Sequence, residues 1–125
     1  MVIDSTVLID YLRGNDSAKN YILSAVEPFK ISRVVVMELI AGSKNRQEVK
    51  KNLQFITNLE LDIVEINEEI SQQAGKLFEN YFHQYGLGIT DALIAAMAIV
   101  AGDKLVTHNV KHFKFIKELD IIKPY

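Results

Sequence analysis

The sequence opens with Met1-Val2-Ile3-Asp4-Ser5-Thr6-Val7-Leu8-Ile9-Asp10-Tyr11-Leu12, the stretch that decides the fold. Residues 1–4 form a short apolar run that predicts a buried strand, and residues 6–12 predict a short helix stopped by Gly14. A strand followed at once by a helix is typical of α/β folds, in which parallel strands alternate with helices. Sites in such folds form beyond the carboxyl ends of the strands, so Asp4 stands where a functional group is expected.

The rest of the chain repeats this alternation of strands and helices. Four more strands are predicted, over residues 29–32, 62–66, 104–107 and 121–123. After the first helix, a second is capped by Asn15, Asp16 or Ser17 and uses Ala18, Ile22, Ala25 and Val26 on one face. Two more helices are predicted over residues 34–41 and 47–59. A long helix follows the cap Asn67 and is broken at Gly86 and Gly88, and the last runs from Asp91 to Ala101. The sequence therefore predicts one α/β domain over residues 1–125, with a parallel five-stranded sheet covered by helices on both faces.

Length and composition narrow the class of protein. The chain has 125 residues, 49% hydrophobic and 24% charged, which suits one ordinary globular domain. It has no cysteine, which excludes disulfides, thiolate catalysis and cysteine-type zinc sites. No signal peptide is visible, and the longest apolar stretch, residues 92–101, is too short to span a bilayer. We therefore expect a cytoplasmic protein that does not associate with membranes.

The net charge of −2 argues against a broad basic surface for nucleic acid. Charge is nevertheless uneven: residues 104–125 hold five Lys against two acids, and residues 44–51 hold four basic residues against one acid. Residues 60–79 reverse the balance, with six acids against one Lys. Each run also fits a solvated helix face, so a nucleic-acid contact here would use local patches.

Three acids lie on apolar elements without a cationic neighbour in the sequence. Asp4 ends the first strand, Glu38 lies within the apolar helix 34–41, and Asp91 opens the buried helix. Each has a structural explanation when taken alone: a helix cap for Asp4, a salt bridge to a distant Lys or Arg for Glu38, and a favourable helix dipole for Asp91. A bound divalent cation would satisfy all three at once.

Ligation by oxygen alone favours a hard cation, Mg²⁺ or Mn²⁺, over zinc. Such a cation polarises a phosphate, lowers the pKa of water and neutralises developing negative charge. The acids therefore indicate hydrolysis of a phosphodiester.

The sequence resembles the PIN-domain ribonucleases and, among them, the VapC-like toxins of bacterial and archaeal toxin–antitoxin pairs. Three segments carry the resemblance: residues 2–12, Glu38-Leu39-Ile40-Ala41-Gly42, and Ile89-Thr90-Asp91-Ala92-Leu93-Ile94-Ala95-Ala96 followed by Leu105-Val106-Thr107-His108-Asn109-Val110-Lys111-His112-Phe113. Their order and spacing, and the length of the chain, agree with the family.

The resemblance implies the PIN-like three-layer fold and an endoribonuclease that needs Mg²⁺ or Mn²⁺. It also implies a homodimer, an RNA substrate and a cognate antitoxin protein that inhibits the enzyme. Asp4, Glu38 and Asp91 match the family's metal-binding, catalytic acids. Thr6, Thr107 and Asn109 match supporting polar positions.

The sequence departs from the family in the turn after the fourth strand. Many members carry a fourth acid there, whereas this chain offers Asn109 and His112. We therefore expect one tightly held cation rather than two. The basic segment that follows, with Lys111, His112 and Lys114, is a candidate contact for the RNA backbone, although His112 and His108 also fit ordinary surface histidines.

Other functions fit the sequence less well. A two-carboxylate phosphotransferase needs Asp-X-Asp after the first strand, where this chain has Asp4-Ser5-Thr6. A receiver domain needs an acceptor Asp after the third strand, which here ends in Glu65-Ile66-Asn67. A catalytically degenerate PIN-like domain that binds RNA or a protein stays open. For the antitoxin, we expect a groove beside helices 34–41 and 47–59, with Leu53 and Ile56 on its face.

Overall fold

The computed structural model describes all residues, 1–125. Five strands alternate with helices, as the sequence predicts: β1 (Val2–Ile3), β2 (Lys30–Ser32), β3 (Asp62–Val64), β4 (Leu105–Val106) and β5 (Ile121–Ile122). The six helices are α1 (Ser5–Leu12), α2 (Asp16–Leu23), α3 (Arg33–Ala41), α4 (Arg46–Asn58), α5 (Glu68–Tyr85) and α6 (Ile89–Val100). A short 3₁₀ helix (Val110–His112) follows β4.

The strands form one sheet in the order β3-β2-β1-β4-β5, and every pair is parallel. Strand β1 lies at the centre, with Val2 opposite Lys30 of β2 and opposite Leu105 of β4. The predicted parallel five-stranded sheet is confirmed. Receiver domains have the strand order 2-1-3-4-5, so the receiver alternative is wrong.

Both faces of the central strands are covered. Neighbouring residues of a strand point to opposite faces, yet Val2 and Ile3 are both 0% exposed, and so are Leu105 and Val106. The chain moves outward from β1 through α1–α4 and then crosses back to β4 through α5 and α6. Right-handed connections place these two groups of helices on opposite faces, which accounts for the burial.

Local signals in the sequence set most of the helix boundaries. The side chains of Asn15, Asn45 and Asn67 cap α2, α4 and α5, each accepting a hydrogen bond of 2.9 Å from a backbone N–H three residues on. Helix α6 is buried along most of its length, as its apolar composition predicts. No helix combines the length and the apolarity that crossing a bilayer requires.

Two details of the prediction are wrong. Helix α2 ends at Leu23, so Ala25 and Val26 do not continue its apolar face, and Val26 is 99% exposed. Pro28 disfavours helical backbone at the residue before it, and the chain turns here toward β2. Helix α6 begins at Ile89 with Gly88 as its cap, so Asp91 lies in the first turn and does not open the helix.

Candidate active site

The site lies where the order of the strands reverses. From β1 the sheet continues to β2 on one side and to β4 on the other. A crevice forms at such a point, beyond the carboxyl ends of the strands. Asp4 follows β1 and Thr107 follows β4, so the sheet brings together two residues that are 103 positions apart.

Asp4 is held on three sides and is only 4% exposed. Its Oδ1 accepts from the backbone N–H of Ser5 at 2.9 Å, the capping interaction that the sequence left open. Its Oδ2 accepts from the hydroxyls of Thr107 at 2.9 Å and Thr6 at 3.1 Å. Capping therefore orients this carboxylate without supplying a positive charge.

The two threonines tie Asp4 to the turn after β4. While each hydroxyl donates to Asp4, Thr6 Oγ1 accepts from the His108 backbone N–H at 3.2 Å. Thr107 Oγ1 accepts from the Asn109 backbone N–H at 3.0 Å. Each hydroxyl thus donates one hydrogen bond and accepts another, which fixes the Asp4 carboxylate relative to the turn.

Glu38 projects from α3 and has no hydrogen-bond partner for a buried oxygen. Its Oε1 is the one buried side-chain oxygen or nitrogen in the chain without a partner. No Lys or Arg pairs with Glu38, nor with Asp4 or Asp91. The salt-bridge interpretation of Glu38 is therefore wrong, and no positively charged side chain compensates its carboxylate inside the protein.

Asp91 lies in the first turn of α6 and faces the segment after β4. Its Oδ2 is 3.4 Å from His112 Nδ1, which is also 3.4 Å from Asn109 Nδ2. Of the two candidate positions for a fourth acid, His112 is therefore the one whose side chain contacts Asp91. The side chain of Asn109 contacts His112 and not Asp4.

The pKa values of all three carboxyls are raised. Burial is the main cause for each of them. Coulombic repulsion adds to it: Asp4 raises the pKa of both Glu38 and Asp91, and Asp91 raises that of Glu38. Hydrogen bonds from Thr107, Ser5 and Thr6 partly oppose the shift at Asp4, and the Ser5 side chain partly opposes the shift at Glu38. His112 opposes the shifts at Asp4 and Asp91.

The three acids thus feel one another's charge without closing around a common point. No group of three or more His, Asp and Glu side chains has the spacing to hold a metal ion as the side chains stand. Like charges that lie this near one another repel when no cation is present. The cluster is negative and polar, and it suits a hard cation.

Sequence reasoning missed two residues beside this site, Asp10 and Tyr125. The Tyr125 hydroxyl donates to Asp10 Oδ2 at 2.5 Å, and its ring stacks on that of His108, with centroids 4.8 Å apart. Asp10 lies four residues after Thr6, on the same side of α1. That spacing was the one available signal, because nothing local relates Tyr125 to α1.

A groove of about 530 Å³ opens next to Glu38, between α1, α3 and α4. Arg13 and Lys51 lie on its walls. It runs beside the two helices expected to flank an antitoxin site. Ile56 was predicted on this exposed face, but it is only 3% exposed and packs in the core, so that part of the prediction is wrong.

Comparison with known proteins identifies the family of this chain. The family model of the PIN domain matches residues 1–118. The chain belongs to the PIN-domain family. Ribonuclease VapC10 of Mycobacterium tuberculosis is 35% identical over 124 residues, covering 95% of this PIN domain and 90% of that protein. Ribonuclease VapC1 of Methanocaldococcus jannaschii is 33% identical, covering 97% and 84%.

Chains in solved structures of toxin–antitoxin complexes are also similar to this PIN domain. A toxin–antitoxin complex from Klebsiella pneumoniae matches with a TM-score of 0.82 and 26% identity, covering 99% of this chain and 97% of that one. VapBC2 from Rickettsia felis, bound to a DNA fragment from its promoter, matches with a TM-score of 0.80 and 26% identity, covering 97% and 96%. The resemblance to VapC-like PIN domains is confirmed.

Proposed function

We propose that this PIN domain is a divalent-metal-dependent endoribonuclease and the toxin of a toxin–antitoxin pair. The relatives named above are ribonucleases, and the structural neighbours are toxin–antitoxin complexes. The observation that carries the proposal is the partnerless oxygen of Glu38, buried beside acids that no Lys or Arg side chain neutralises. An acid cluster that lowers stability in this way fits a ligand-binding role.

The residues present fit a Mg²⁺ or Mn²⁺ ion held by Asp4, Glu38 and Asp91. The donors are carboxylate oxygens, which these hard cations prefer. A bound cation would supply charge neutralisation at the scissile phosphate and a lower pKa for water. The missing fourth acid supports one cation rather than two. The carboxylates do not close around a common point, and a cation would remove the repulsion among them.

Asp4 and Glu38 have distinct roles in this proposal. Asp4 is the fixed member, because Thr6, Thr107 and Ser5 hold both of its oxygens. Glu38 would help to hold the cation, and its carboxylate would orient the attacking water or take its proton. Its raised pKa suits a general base better than an ordinary carboxylate would.

The RNA backbone lies along the segment after β4. Lys111 and Lys114 are exposed and form no salt bridge, and His112 adjoins Asp91. Replacing both lysines with Ala should weaken RNA binding and flatten its dependence on salt, since each lost phosphate contact lowers the salt slope. An unchanged slope in a fluorescence binding titration would contradict the assignment.

The proposal includes the partners expected of such a toxin. A cognate antitoxin would occupy the groove beside Glu38. The chain would act as a single domain and form a homodimer. Light scattering on the purified protein tests this oligomeric state. We infer a cytoplasmic location, since the proposed substrate is cellular RNA.

The first experiment is cleavage of total cellular RNA with Mg²⁺ or Mn²⁺ and then with EDTA. We expect metal-dependent cleavage that Asp4→Asn and Asp91→Asn each reduce by about 10²–10⁴-fold, the range for losing a positioned catalytic group. The matched control is Asp103→Asn, an acid at the opposite edge of the sheet, which should leave cleavage unchanged. RNA binding without cleavage under any metal would favour the catalytically degenerate alternative.

A further inference from the structure

An exposed aromatic ring lies in the turn whose residue Thr107 contacts Asp4. His108 follows Thr107 in the turn after β4, and its side chain is exposed. One face of its ring stacks on Tyr125, with centroids 4.8 Å apart and an angle of 23° between the planes. The ring is therefore backed on one side and open to solvent elsewhere.

Tyr125 is itself anchored and gives the pair a defined position. Its hydroxyl donates to Asp10 Oδ2 at 2.5 Å, a short charge-assisted bond to helix α1. Burial and the negative charge of Asp10 raise the pKa of Tyr125, so its hydroxyl keeps the proton that it donates. The stacked pair thus spans from the turn after β4 to α1, the two elements that carry the threonines around Asp4.

Two hydrogen bonds connect the backbone of His108, and thereby the position of its ring, to the site. The backbone N–H of His108 donates to Thr6 Oγ1 at 3.2 Å, and Thr6 Oγ1 donates to Asp4 Oδ2 at 3.1 Å. A phosphodiester at the acids would therefore bring a neighbouring nucleotide within reach of the ring. Proteins hold the bases of single-stranded RNA by stacking them on aromatic side chains, including His.

We propose that His108, backed by Tyr125, is a stacking platform for the base of a nucleotide next to the scissile phosphate. This platform rests on the proposed ribonuclease function and adds a binding subsite to it. Its ligand class is single-stranded RNA, since in a duplex the bases are stacked on one another. His108 has no part in proton transfer here.

The test is binding of a fluorescent single-stranded RNA of mixed sequence in EDTA, which leaves the RNA uncut. We expect His108→Ala to weaken binding by about 5- to 100-fold, as the loss of one stacked base does. His108→Phe, which keeps an aromatic ring and lacks a titrating proton, should retain most of the affinity. His83→Ala is the matched control, because His83 is an exposed histidine on α5, and it should bind as the wild type does.

Abasic substitution identifies the stacked base. One position of the RNA at a time loses its base, and one such position should weaken binding to the wild type but not to His108→Ala. Tyr125→Phe, which removes the bond to Asp10, should give a smaller loss than His108→Ala.

The outcomes separate the two proposals. If the wild type cleaves RNA but His108→Ala binds it equally well, the platform alone is wrong. If His108→Phe loses as much affinity as His108→Ala, a polar contact and not stacking explains the residue, and the platform is again overturned. If the wild type neither binds nor cleaves RNA, the proposed function fails and the platform fails with it.

Discussion

The two edges of the sheet hold acids of opposite character. At the amino edge, Asp103 precedes β4, and its Oδ2 lies 3.4 Å from both Lys30 Nζ and the Met1 ammonium. Partial burial opposes ionisation of Asp103, but the backbone donor from Lys104 and the two ammonium groups hold its pKa below the usual value. At the carboxyl edge, Asp4, Glu38 and Asp91 have raised pKa values and no ammonium or guanidinium partner.

This difference distinguishes an acid that serves the fold from acids that serve a ligand. The chain neutralises Asp103 with its own cations, so that acid stabilises the edge it occupies. It brings three acids together at the other edge and leaves Glu38 Oε1 without a donor. Uncompensated carboxylates cost stability, and a cation from outside the chain would recover that cost.

The largest effect that would sharpen this contrast concerns the support around Asp4. Thr107→Val keeps the shape of the side chain but removes the 2.9 Å hydrogen bond to Asp4 Oδ2. We expect a loss of about 10–100-fold in metal affinity or activity, as for other residues that orient a ligand. The measurement is RNA cleavage as a function of metal concentration.

Thr57→Val is the control for this variant, because Thr57 is an exposed threonine of α4 far from Asp4 in the fold. It should require the same metal concentration as the wild type. A Thr107→Val protein with unchanged metal dependence would show that Asp4 needs no such support.

A smaller effect concerns stability without metal, where the two edges should respond in opposite directions. In EDTA, Glu38→Gln should stabilise the protein by about 1 kcal/mol, because it removes an uncompensated charge, and Tm should rise by about 4 °C. Asp103→Asn should lower stability by up to about 1 kcal/mol, since its ion pairs are partly exposed. Thermal unfolding followed by circular dichroism measures both variants.

The pH dependence of the same variants checks the sign. Because the folded-state pKa of Glu38 is raised, the folded protein binds a proton there more readily than the unfolded chain does. The stabilisation that the Glu38 carboxyl contributes is present below its unfolded-state pKa and is lost as the pH rises through its raised folded-state pKa. The advantage of Glu38→Gln should thus be largest near neutral pH and shrink toward about pH 4.5, the ordinary range for Glu.

Asp103 should behave in the opposite way, because its folded-state pKa is lowered. The stabilisation that Asp103 contributes is present above its unfolded pKa and is lost as pH falls through the folded value.

If Glu38→Gln were less stable than the wild type in EDTA at neutral pH, the view of Glu38 as an uncompensated charge would be wrong.

The sequence by itself determined the alternation of strands and helices, the parallel sheet and the three acids worth examining. These features follow from interactions between residues close together in the chain. Short apolar runs favour buried strands, and apolar residues at helical spacing indicate which face of a helix is buried. Asn15, Asn45 and Asn67 cap helices by accepting from a backbone N–H three residues on. Glu38 stood out because an acid in an apolar helix has no local partner. Local patterns went wrong at Val26 and Ile56, where periodicity alone does not say which apolar side chains the core covers.

Only the tertiary structure decided how the site is assembled. Thr6 and Thr107 share one oxygen of Asp4 because β1 pairs with β4, and the spacing of residues along the chain does not encode that pairing. The same holds for His112 beside Asp91 and for Tyr125 bonded to Asp10 across 115 positions. Such contacts depend on the order and register of the strands, which follow from the packing of the whole core and not from any one segment.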